Sequence, residues 1–146
     1  MDKNCQTYQA YVEILRQELV PAMGCTEPIA IAYGAAKARA ALGALPDQIT
    51  VAASGNIIKN VKSVIVPNTD GRKGIEVAAA IGALAGDASA GLEVIAHVRP
   101  ESRATLGQYL ADTKIQVRAA QSPHVLDITI SVQKGLDTAT VQIVDR

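Results

Sequence analysis

The residues of this chain best suited to chemistry stand at 20–28, in "VPAMGCTEP", where Cys25 follows a glycine and precedes a helix start. The thiolate is the reactive form of cysteine, and a helix N-terminus favours negative charge. Gly24 permits close backbone approach, while Thr26 and Glu27 set a hydroxyl and a carboxylate beside the sulfur. A thiol so placed can serve as nucleophile, base or metal ligand. It can equally be a small buried hydrophobe, the usual fate of a free cysteine. The only other cysteine, Cys5, lies in a polar N-terminal stretch where a structural reading suffices. In a reducing compartment both are free thiols.

A second polar cluster is "SGNIIKN", residues 54–60, whose Ser54, Asn56, Lys59 and Asn60 follow the end of an expected strand. Loops after strands are favoured binding positions. Asn and Ser can grip a carboxylate or an amino group, and Lys59 offers a cation to an acidic substrate. The competing reading is an ordinary turn with solvated polar groups. "PNTDGRKG", residues 67–74, could hold a carboxylate or phosphate through backbone N–H groups, but it lacks the spacing of a nucleotide-binding loop. His97 and His124 each lack a neighbour at ligand spacing, and no CxxC or HxxxH exists, so no complete zinc site is visible. Two cysteines cannot supply the three ligands of an iron–sulfur cluster.

The elements expected to position these residues follow from periodicity. Tyr8, Tyr11, Val12, Leu15 and Leu19 recur at helical spacing, and Pro21 ends that helix. A second helix follows Thr26, a plausible cap, with Pro28 in its first turn. Strands are expected over 47–54 and 63–67, turn chemistry over 68–74, and a buried Ala-rich helix over 75–86. A strand over 92–98, a helix over 101–112 and strands over 114–120, 125–133 and 138–145 complete the chain, the last two as a hairpin over "KGLD". The fold class is α+β: Ala-rich N-terminal helices packed with a mixed or antiparallel sheet, and a β-α-β-β-β C-terminal half.

Composition narrows the function classes. The 146 residues suit one domain, and 49% of them are apolar. There is no Phe or Trp, so the core is built from Ala, Val, Ile and Leu and its elements must approach closely. Fourteen basic and fourteen acidic residues cancel, which leaves no nucleic-acid footprint and no basic membrane-binding run. No apolar run reaches the ~18 residues of a membrane span. The charged N-terminus lacks a signal-peptide core, and a cytoplasmic protein is expected. The chain stops directly after a strong strand, as a segment of something longer would. That final strand would leave an edge through which a second copy could pair.

Three stretches together, "VPAMGCTEP", "SGNIIKN" with "VIVPNTDGRKG", and "AAAIGALAGDASAGLEVI", resemble the N-terminal part of the L-cysteine desulfidase family, related to the α part of iron–sulfur L-serine dehydratases. The similarity runs from about Tyr8 to Ile95. It implies a cytoplasmic lyase of amino-acid catabolism that carries a [4Fe–4S] cluster and converts L-cysteine to hydrogen sulfide, ammonia and pyruvate. It implies that Cys25 is the proton-abstracting base. It also implies that the cluster's ligands lie in a C-terminal part beyond these residues, so that residues 1–146 form the N-terminal third of such an enzyme, inactive alone. Thr26, Glu27, Ser54, Asn56, Lys59 and Asn60 are then expected to contact the amino-acid substrate. Serine dehydratase-type deamination and a non-catalytic small-molecule-binding module are the alternatives.

Overall fold

The computed structural model describes residues 9–15, 27–120 and 127–144. Among these residues five strands form one mixed sheet in the order β1-β5-β4-β2-β3. They are β1 (Gln9–Leu15), β2 (Gln48–Ser54), β3 (Lys114–Ala120), β4 (Asp127–Lys134) and β5 (Asp137–Val144). β1 runs parallel to β5 and β3 parallel to β2, while β4 is antiparallel to both β2 and β5. Four helices accompany it: α1 (Glu27–Leu42), α2 (Gly55–Val61), α3 (Ile75–Ala85) and α4 (Pro100–Asp112). The α+β class is as the sequence implies.

Alternation gives the sheet two unlike faces. Ile49, Val51 and Ala53 of β2 stand beside Val132, Ile130 and Ile128 of β4, which stand beside Ala139, Val141 and Ile143 of β5. All nine are buried beneath the helices. The intervening residues, Thr, Ser and Gln for the most part, face the other way. Burial of this face across β2, β4 and β5 fixes the register, because a one-residue slip would turn its apolar side chains outward.

The core is built from small residues, and the helices approach accordingly. A Cβ added to Gly82 of α3 would lie 2.2 Å from the carbonyl oxygen of Ala32 in α1, so the two backbones touch there. A Cβ on Gly34 would meet Ile130 Cδ1 at 2.7 Å, seating α1 directly on β4. Arg39 Nη1 donates to the carbonyl of Leu84 at 3.4 Å and ties the end of α1 to the last turn of α3.

Several expectations are corrected. The helix expected from Tyr8 to Leu19 is β1 over its described part: Ala10, Val12 and Ile14 pair with Ala139, Val141 and Ile143. The strand expected at 63–67 is reduced to a single bridge between Ile65 and Lys73. The strand expected at 92–98 is a 3-10 turn at Gly91–Glu93 followed by further turns, in which the consecutive Val94 and Ile95 are both buried, as is Val98. The C-terminal half is therefore α-β-β-β. The final strand lies between β1 and β4 and not at an edge; the edges are β1 and β3.

Candidate functional site

β2 ends at Ser54 and the chain turns at once into α2, a helix where a polar loop is expected. Ile57 and Val61, four residues apart, point into the core. Asn56, Lys59 and Asn60, at the complementary spacing, share the exposed side. Three of the expected substrate contacts are thus brought together on one helix face, while Ser54 is buried at the junction. Glu27 is the first residue of α1. Cys25 and Thr26, with Cys5 and His124, lie outside the described residues. His97 is exposed among the turns after Gly91–Glu93.

Between α2 and α3 the chain makes a tight strap over residues 64–74. Val66 N–H donates to the Arg72 carbonyl at 2.9 Å, and Gly74 N–H to the Val64 carbonyl at 3.3 Å. Thr69 is buried, its hydroxyl donating to the Val66 carbonyl at 2.7 Å. Asn68 and Asp70 adopt left-handed backbone at φ 61° and 58°, a conformation Asn and Asp tolerate better than other side chains. Asn68 Nδ2 donates to the Ile95 carbonyl at 2.7 Å and holds the strap to the turns before α4. Arg103 of α4 stands 3.7 Å from Asp70 and donates to the Val98 carbonyl at 3.1 Å. "PNTDGRKG" is therefore a loop clamped by hydrogen bonds from Asn68 and Thr69 to Ile95 and Val66 and by the ion pair of Asp70 with Arg103.

Behind the strap lies a cavity of about 310 Å³, lined by Ile58, Lys62, Lys73, Gly74, Ile75, Glu76 and Val117. It sits where α2, the strap, the first turn of α3 and β3 meet. Its volume is at the lower end for small-molecule sites. Lys62 and Lys73 offer two ammonium groups, and the first turn of α3 adds the positive end of a helix dipole. Glu76 supplies a carboxylate, and Ile58, Ile75 and Val117 an apolar wall. Cations for a carboxylate, an anion for an ammonium and an apolar wall for a short side chain are the complement of a zwitterionic amino acid. Lys62, Lys73 and Glu76 were not legible as site residues in the sequence. The available signal was Gly74 (φ 103°) before an acidic first turn, with Lys62 just before the strap and Lys73 near its end.

The residues present do not fit an iron–sulfur cluster. The chain has two cysteines, and the described residues contain no group of His, Cys, Asp and Glu able to hold a metal ion. Among the described residues no helix is long and apolar enough to cross a membrane.

Comparison with known proteins gives a consistent name. The chain is 54% identical over 132 residues to a UPF0597 protein of Desulfitobacterium hafniense, covering 90% of this chain and 31% of that protein. It is 49% identical over 137 residues to a UPF0597 protein of Treponema denticola, covering 94% of this chain and 32% of the relative. A UPF0597 protein of Finegoldia magna is 49% identical over 134 residues, with 91% and 32% covered. The chain thus spans about a third of the length of these relatives, whose shared name describes no activity. No family model and no solved structure matches.

Proposed function

We propose that this chain is the base-bearing part of a longer amino-acid lyase, acting on L-cysteine to release hydrogen sulfide, ammonia and pyruvate. The observation that carries the reading is the cavity of about 310 Å³ whose lining includes Lys62, Lys73 and Glu76 together. The resemblance in "GCTEP" and "SGNIIKN" supports it, as does the threefold greater length of the curated relatives.

In this reading the lysines take the substrate carboxylate and Glu76 its ammonium. Cys25, as thiolate, removes the α-proton, which a base near the operating pH does well. Thr26, Glu27, Asn56, Lys59 and Asn60 enter the proposal from the resemblance alone, since α2 and the residue after it line the cavity with Ile58 and Lys62. A [4Fe–4S] cluster belongs to the proposal as a group held outside these residues, where it would supply an open iron to the leaving sulfur. L-serine deamination by the same residues is the alternative chemistry, and a binding module without turnover is the alternative class. The cytoplasm is the proposed location.

Calorimetry of the 146-residue chain with L-cysteine and L-serine tests the pocket. Binding that Lys62→Ala and Lys73→Ala each weaken at least fivefold is expected. Absence of binding by both amino acids, or binding indifferent to both substitutions, would remove the reading.

A further inference from the structure

The face of the sheet turned away from the helices has an order that neither the fold nor the cavity explains. Pairing across the five strands sets its side chains in rows, read here from β3 through β2, β4 and β5 to β1. One row is Gln116, Thr50, Ser131, Thr140, Tyr11, and the next is Arg118, Ala52, Thr129, Gln142, Glu13. None of these ten residues is buried, and Tyr11 is 62% exposed. Here the interior of the face carries hydroxyls and amides, many already bonded to one another: Ser131 with Thr140 at 3.1 Å, and Tyr11 with Gln142. In these two rows the charges stand at opposite edges of a single row, Arg118 on β3 and Glu13 on β1.

That arrangement is self-complementary. β4 is the middle strand, with two strands on either side. A two-fold axis along β4 lays the β3 edge of one copy over the β1 edge of the other and preserves the rows. Arg118 then faces Glu13 of the second copy, twice, and the neutral rows face each other. A shallow cavity of about 340 Å³ at the β1–β5 seam, lined by Gln9, Tyr11, Thr138 and Thr140 among others, lies where Gln116 and Lys114 of the second copy arrive. A C2 interface must pair one patch with itself in this way. Ser54 and Val144 at one end of this face are buried, so about six residues of each of five strands are open, roughly 475 Å² per copy at ~4.8 Å between strands and ~3.3 Å per residue. Two copies bury about 950 Å², close to the ~1,000 Å² lower bound of a specific interface and in the range of weak ones.

We propose that the Thr/Ser/Gln face of the sheet is a homodimer interface, two copies stacking face to face about an axis along β4 with Arg118 and Glu13 paired at both rims. The interface is modest and polar, so the dimer forms at micromolar concentration and weakens with salt.

Sedimentation equilibrium of the 146-residue chain tests it, with circular dichroism confirming that each variant is folded. The wild type dimerises. Glu13→Arg and Arg118→Glu each weaken the dimer at least tenfold, and the double exchange restores it to within about threefold, as a rim charge pair requires. Ser131→Lys, which sets like charges together on the axis, abolishes it. A chain that stays monomeric to about 1 mM would overturn the proposal. So would a dimer that ignores both single exchanges, one that the double exchange fails to restore, or one that survives Ser131→Lys, as pairing through a strand edge would.

Discussion

Asn68 shows how a residue that reads as a binding group can serve the frame instead. Its left-handed backbone and its bond to the Ile95 carbonyl fix the strap that walls the Lys62–Lys73 cavity. Asn68→Ala loses the bond and forces an ordinary side chain into left-handed backbone, for an expected cost of about 2 kcal/mol in urea unfolding. Asn68→Gly keeps the backbone free and should cost about half as much, roughly 1 kcal/mol. Of the candidate site, the sequence shows the α2 face, because Asn56, Lys59 and Asn60 stand close in the chain. It hides Lys62, Lys73 and Glu76, which only the return of the strap between α2 and α3 brings together. Polar type alone does not separate the two roles: Thr69 in the strap is buried and committed, while Lys73 four residues on lines the cavity.

At the scale of elements, what was legible depended on whether one periodicity prevailed. Residues 48–54, 75–85 and 127–144 each carry a single pattern and fold as read. Residues 9–15 satisfy both patterns: Tyr11, Val12 and Leu15 at helical spacing, Ala10, Val12 and Ile14 in alternation. Parallel pairing with β5, a long-range contact, decides for the strand. Residues 92–98 mislead in the opposite sense, since the turns bury Val94 and Ile95 together where a strand would part them. The α1–α3 contact yields a sharp test. Gly82→Ala drives a Cβ against the backbone of Ala32, where no side chain can yield, so a loss of at least about 3 kcal/mol is expected, or roughly 10 °C in Tm. α4 supplies a pH test. Tyr109 donates to the Pro46 carbonyl at 2.8 Å, and burial pushes its phenol up to about 12 from an ordinary value of 10.0. The fold favours the neutral phenol, so its contribution is full below pH ~10 and fades as pH rises towards 12. After allowance for solvent screening it is about 1 kcal/mol, and Tyr109→Phe should flatten the alkaline limb of a stability–pH curve.

At the scale of the whole molecule, a core without Phe or Trp, closed by glycine contacts between α1, α3 and the sheet, holds the strap and α2 against β3. The chain spans about a third of its relatives, and the lyase reading assigns to this third the base and the seat for the amino acid. Its central claim is that Cys25 removes the substrate α-proton. The direct measurement takes the Desulfitobacterium hafniense relative with its aligned stretch replaced by this chain, reconstituted with iron and sulfide without oxygen, and follows pyruvate and sulfide release from L-cysteine. The account predicts turnover with Cys25 and a loss of about 10²–10⁴-fold with Cys25→Ala, the range of a general base. Equal rates for Cys25 and Cys25→Ala, or full turnover by the 146-residue chain alone without iron, would contradict it.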